Sequence, residues 1–198
     1  MTQTLLIVGV AAAAMFVAIL LIEGMLRPSY NPTYHMGSAL SLGDRGWIQV
    51  VNFLQLGMGM FAFAVGVYQT LNSVVGALLV AIFGLGAIVA GVFRMDPMRG
   101  YPPGAPTGTP AELTWHHKVH DLSGPVMFLA IFGACLALAG HLPGPWRLYT
   151  VLTAVAGLAL TISTAVAWQK DARNTGLIQR SLIIVYCSWI VLLGIHLL

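Results

Sequence analysis

The densest run of chemically able side chains is Trp115-His116-His117-Lys118-Val119-His120-Asp121. On a helix, at about 100° per residue, His116 and His120 fall one turn apart on one face. His117 and Asp121 fall on the adjoining face, so three imidazoles and a carboxylate cover an arc of about 140°. A His pair at i, i+4 has metal-ligand spacing, and the carboxylate can ligate or orient an imidazole. Zinc is the metal such donors suit, but a tetrahedral site needs a third protein ligand. His35 is the one other histidine expected on that side, whereas His141 and His196 belong to the opposite side. The competing expectation is structural: interfacial histidines bond water, lipid phosphate or loop carbonyls, and Asp121 caps a helix N-terminus.

A second set lies upstream: Glu23, Arg27, Tyr30, Asn31, Tyr34, His35, Ser38, Ser41, Asp44 and Arg45. Glu23 and Arg27 stand one turn apart in the favourable order, so an ion pair is expected. Glu23 follows twenty-two residues without a charged side chain. A carboxylate at that depth is costly unless paired, which makes Glu23, with Asp121, a candidate catalytic base. Asp44 reads as the N-cap of the next helix, and Asp96 is a further polar candidate. Asn52 and Gln55 share one helical face, where membrane amides usually bond a neighbouring helix. Thr161, Ser163 and Thr164 are expected to satisfy their own helix's carbonyls.

These residues need elements to hold them. Charged residues make up only 8 % of the chain against 58 % hydrophobic, far below the roughly 25 % charged of a soluble domain. Apolar runs at about 5–24, 47–68, 74–93, 122–140, 148–168 and 177–197 are each long enough to cross a membrane as a helix. The expected fold is all-α: one domain, 1–198, a polytopic six-helix bundle. Short links at 69–73 and 141–147 alternate with long loops at 25–46 and 94–121 and a shorter one at 169–176. Arg27, Arg45, Arg94, Arg99, Lys118, Lys170, Arg173 and Arg180 lie in or beside the latter three, and Arg147 alone lies opposite. The positive-inside rule then puts the long loops in the cytoplasm and both termini outside. The first run, with no basic region before it, reads as a retained span and not a cleaved leader.

The net charge of +3 follows from this loop bias and implies anionic lipid, not nucleic acid. Cys135 and Cys187, each in the middle of a different span, read as packing residues. Small residues four apart, such as Gly9/Ala13, Ala62/Gly66 and Ala87/Gly91, predict close helix contacts. Gly57, Gly59, Gly84 and Gly86 either serve the same packing or leave room for a lipid or cofactor. No span is expected to be broken by proline.

Arg27-Pro28-Ser29-Tyr30-Asn31-Pro32, His35-Met36, Leu40-Ser41-Leu42-Gly43, Gly46-Trp47-Ile48-Gln49 and Asn52-Phe53 resemble a widespread prokaryotic membrane family, domain of unknown function 998. Gly91-Val92-Phe93, Asp96-Pro97, Gly100-Tyr101-Pro102-Pro103-Gly104 and His116 to Asp121 continue the resemblance over essentially the whole chain. Arg94 stands where many relatives are expected to carry proline. The resemblance implies six spans in a prokaryotic inner (plasma) membrane and no stated activity. It extends distantly to DRAM/Sfk-type membrane proteins, which are associated with lipid organisation.

Three functions are expected in descending order. The first is a non-catalytic module that contacts membrane lipids or other membrane-protein subunits. The second is a metal-dependent intramembrane hydrolase using His116, His120 and His35 with Asp121 or Glu23. The third is a small transporter. Neither a Gly-x-Ser-x-Gly elbow nor a His-Glu-x-x-His motif is present.

Overall fold

The computed structural model describes residues 1–198. Six helices follow one another: α1 (Thr2–Leu26), α2 (Gly46–Leu71), α3 (Val74–Val92), α4 (Trp115–Ala139), α5 (Gly144–Gln169) and α6 (Thr175–His196). There is no sheet. One 3₁₀ turn, Gly37–Ser41, stands in the first long loop. All six helices are long and apolar enough to span a bilayer.

Each helix packs on its sequence neighbours, and α1 closes on α6, so the bundle is a ring. The faces turned outward carry Ile7, Met15, Phe61, Leu85, Leu129, Val155 and Ile184, all exposed. An apolar exterior of that extent has only lipid as a compatible solvent. The protein is a multi-pass membrane protein.

Lipid is as apolar as leucine, so contact between helices must come from close dispersion packing. The small residues supply it. A Cβ on Gly57 of α2 would lie 2.6 Å from the carbonyl oxygen of Gly84 on α3. The converse distance is 2.8 Å, so these two backbones touch. Gly59 meets Ala12 of α1, and Gly86 meets Met127 of α4, in the same way. These four glycines therefore serve packing and leave no room for a ligand at their own positions. The wall made by α5 is looser, with only Thr150, Thr153, Ala154, Gly157, Thr164 and Ala167 buried.

Three expectations about helix ends need correction. α4 starts at Trp115, seven residues before the apolar run, because the Thr114 hydroxyl caps it by accepting from the His117 amide at 3.2 Å. Asp121 therefore lies in the second turn and caps nothing. α2 is preceded by Arg45, without a side-chain cap, and Asp44 is exposed one residue earlier. With α4 extended, Pro125 falls inside a span. The helix continues through it, but proline has no amide hydrogen, so the Asp121 carbonyl loses its helical donor.

Candidate functional site

At the long-loop end, the first loop folds back over the ring and is fixed at three points. Glu23, 4 % exposed, pairs with Arg27 at 2.8 Å and with Arg45. The Arg27 guanidinium also donates to the carbonyls of Leu42 and Arg45, both at 3.0 Å, and to Tyr101 Oη at 3.2 Å. On the far side Arg180 of α6 donates to the carbonyls of Pro32 and His35 and to the Tyr30 hydroxyl. Burial is the main reason the Tyr30 hydroxyl is pushed up to about 12, partly offset by Arg180. Glu23, Arg27 and Tyr30 are thus tied into holding this lid closed.

His35 joins the two long loops. Its Nδ1 accepts from the Asn31 amide at 2.9 Å, so Nε2 carries the proton and donates to the Arg99 carbonyl at 3.0 Å. The first of these contacts requires the neutral ring, because Nδ1 must keep its lone pair. Burial lowers its pKa first, and the neighbouring Arg180 and Arg99 charges add to that, against the Arg99 carbonyl bond. Arg99 itself reaches the end of α5. Its guanidinium stacks 3.6 Å from the Trp168 ring centroid and donates to the Trp168 carbonyl at 2.6 Å. It also pairs with Asp171 at 3.3 Å.

The histidine run divides among separate tasks. His116 stacks on Trp115, with centroids 3.9 Å apart, at the exposed start of α4. His117 is buried; its Nδ1 accepts from the Asp96 amide at 2.9 Å and its Nε2 faces Asp121 at 3.1 Å. Asp96 accepts from the amide and hydroxyl of Thr114 at 2.8 and 2.7 Å. Partial burial would raise the Asp96 pKa, but those two bonds together with the nearby imidazoles hold it below its ordinary value. His120 turns the other way. Its Nδ1 lies 2.8 Å from the Phe93 carbonyl and 3.2 Å from that of Ala90, which places the proton on Nδ1. Nε2 is left with a free lone pair. No three His, Cys, Asp or Glu side chains gather into a group that would hold a metal ion.

Inside the ring, α2 presents a ladder of amides to α1. Asn52 donates to the Phe16 carbonyl at 3.1 Å and to Gln49 Oε1 at 3.3 Å. Gln55 donates to the Ala12 carbonyl at 3.2 Å and to Asn52 Oδ1 at 3.1 Å. The ladder ends at Gln49, fully buried, whose Nε2 has no partner. Leaving such a group unpaired costs about 1–3 kcal/mol, so the position calls for an explanation. Gln49 lines a cavity of about 60 Å³ with Phe16, Leu20, Phe53, Phe83, Met127 and Tyr186. His120 and Ser123 complete the wall, and Ser38 of the lid closes its end. The Tyr186 hydroxyl, also buried there, likewise lacks a partner. Thr161 and Thr164 bond their own helix, to the carbonyls of Gly157 and Leu160, each at 2.8 Å.

A second, larger cavity of about 280 Å³ adjoins the first and shares Ser38, His120, Gly124, Phe128 and Gln179 with it. It lies where Asp121 and Pro125 of α4 face Thr161, Thr164 and Trp168 of α5. From Trp168 to Thr161 is seven residues, about 10 Å along the helix. The looser α5 wall, the proline and Gly124 make this seam a cleft. A Cβ on Gly124 would meet nothing within 4 Å.

Of the expected site residues, only His120, Ser38 and Asp121 line these cavities; Asn52 stands behind the wall as Gln49's neighbour. Glu23, Arg27, Tyr30 and His35 hold the lid, His117 and Asp96 fix the start of α4, His116 stacks on Trp115 apart from both, and Ser41 bonds the Ser38 carbonyl at 2.7 Å. Gln49, Gln179 and Tyr186 were not singled out by residue type. The one available signal was spacing, since Gln49 stands three residues before Asn52 and six before Gln55.

The model of a family described as protein of unknown function, DUF998, matches residues 10–196. No curated protein and no solved structure matches the chain.

Proposed function

The chain belongs to this DUF998 family, and from its own geometry we propose that it is a non-catalytic lipid-binding membrane protein whose ligand enters between α4 and α5. The observation that carries this reading is that the α4/α5 cleft adjoins the inner chamber, the two sharing Ser38, His120, Gly124, Phe128 and Gln179 as lining. A cleft on the flank of a bundle opens toward acyl chains, and its walls of Phe128, Leu182, Ala165 and Pro125 suit one. Glu23 and His35 are occupied in holding the lid, and His117 in fixing the start of α4.

Gly124 offers a direct test, because a larger residue there enters open space at the junction of cleft and chamber. Native mass spectrometry of the full chain in mild detergent should show retained lipid, and Gly124→Leu should shed it while melting no lower than the parent. Equal retention by the two proteins, or none by either, would sink the proposal.

The same reading puts the long-loop end in the cytoplasm of a prokaryotic inner membrane. Arg27, Arg99 and Arg180 are buried, which leaves Arg45, Arg94, Lys118, Lys170 and Arg173 exposed on that end against Arg147 on the other. A five-to-one bias still favours that orientation. A cysteine placed at Thr107 should react with an impermeant maleimide only after the membrane is opened.

A further inference from the structure

Resting on that lipid-binding reading, we propose that the chamber selects an uncharged amphiphile, one whose polar end carries an ester carbonyl and a free hydroxyl, as a monoacylglycerol does. The chamber offers complementary groups for such an end. Gln49 Nε2 supplies N–H donors that nothing in the protein accepts, on a side chain fully shielded from solvent. His120, with its proton fixed on Nδ1 by the carbonyls of Ala90 in α3 and Phe93 just after it, supplies an acceptor at Nε2. A carbonyl oxygen takes the hydrogen bond from Gln49, and a hydroxyl gives one to His120.

Charge decides against the commoner membrane lipids. No lysine or arginine lines the chamber or the cleft, and the one carboxylate, Asp121, stands at the mouth. Arg99 touches Trp168 but belongs to neither wall, and Asp171 pairs with it. A phosphate or carboxylate brought inward would pass Asp121 and then lie buried without a counter-ion, which a low-dielectric interior penalises heavily. Size agrees with charge. A water needs about 10–15 Å³ by this measure, so 60 Å³ accommodates about four to six water-sized groups. A glycerol end fills that space, with its chain lying back through the cleft to the bilayer.

Head-group preference can be read on the unaltered protein. The full chain in phosphatidylcholine nanodiscs would be titrated with 1-oleoylglycerol, oleate and 1-oleoyl lysophosphatidate, and bound ligand counted by native mass spectrometry. The neutral ligand should bind at least about tenfold more tightly than either anion. Gln49→Met keeps volume and removes the donors, so it should weaken 1-oleoylglycerol by about five- to tenfold and leave the anions unchanged. Equal affinity for the three ligands in the parent would overturn the head-group proposal. So would a folded Gln49→Met protein that keeps its preference. Either result would leave cleft occupancy by bilayer lipid, scored by Gly124→Leu, standing on its own. A chamber holding only water would show no saturable binding of any of the three, which also overturns the head-group proposal and leaves retention of bilayer lipid to the Gly124→Leu comparison.

Discussion

At the scale of single residues, His35 makes the fold sensitive to acid. Its ring must stay neutral to accept from Asn31, and its pKa is lowered in the fold. The unfolded chain therefore takes up the proton first. The stability contributed by His35 is present above its ordinary value, near 6.5, and is lost as pH falls below it. Thermal melts between pH 7.5 and 5.5 should show a falling midpoint, and His35→Gln should have a lower midpoint at pH 7.5 but a flatter slope. A variant slope as steep as the parent's would assign the acid sensitivity elsewhere. Glu23 gives the complementary case. Glu23→Gln leaves the Arg27 guanidinium buried without its anion, and removing one partner of such a pair costs about 3–5 kcal/mol. With Arg45 half exposed, the lower end of that range is expected in a denaturation series. These two roles differed in legibility. The Glu23–Arg27 pair follows from spacing alone, whereas His35 and Arg99 meet only because two loops 64 residues apart fold together.

Among the helices, α4 carries the feature that a linear reading hides. Its apolar run begins near Leu122, but the helix starts at Trp115, because Thr114 caps it and Asp96 holds Thr114. That earlier start changes Pro125 from a boundary residue into an interior one. Pro125→Ala restores the amide that the Asp121 carbonyl lacks and should stabilise the protein, by up to about 3 kcal/mol. It should also narrow the α4/α5 cleft and lower lipid retention. Greater stability with unchanged retention would show that Pro125 does not open the cleft. At the α2/α3 seam, Gly57→Val pushes a side chain into the Gly84 backbone. Overpacking there should cost about 1–3 kcal/mol in a melt. The number of helices and their approximate bounds were written in hydropathy, because six apolar runs need six spans. Which glycines touch backbone and which face open space was not, since Gly57 and Gly124 look alike until their partners are placed.

For the molecule as a whole, the ring explains why the polar cluster and the cavity are distinct things. Charge segregation along the chain concentrates the carboxylates and four of the six histidines at one end, where Glu23 and His35 hold the lid and His117 and Asp96 fix the start of α4. The chamber lies beneath that lid, and its key amide, Gln49, belongs to a span that carries no charge. A search by residue type finds the lid first. The closure of the ring has a consequence for synthesis. Five of its six seams join neighbours in sequence and can form as each hairpin leaves the ribosome, but the α1–α6 seam cannot. Until α6 arrives, the chamber lacks Tyr186, Ile183 and Gln179, and the lid lacks Arg180. During translation the unpaired Gln49 therefore faces an open groove until the last helix docks.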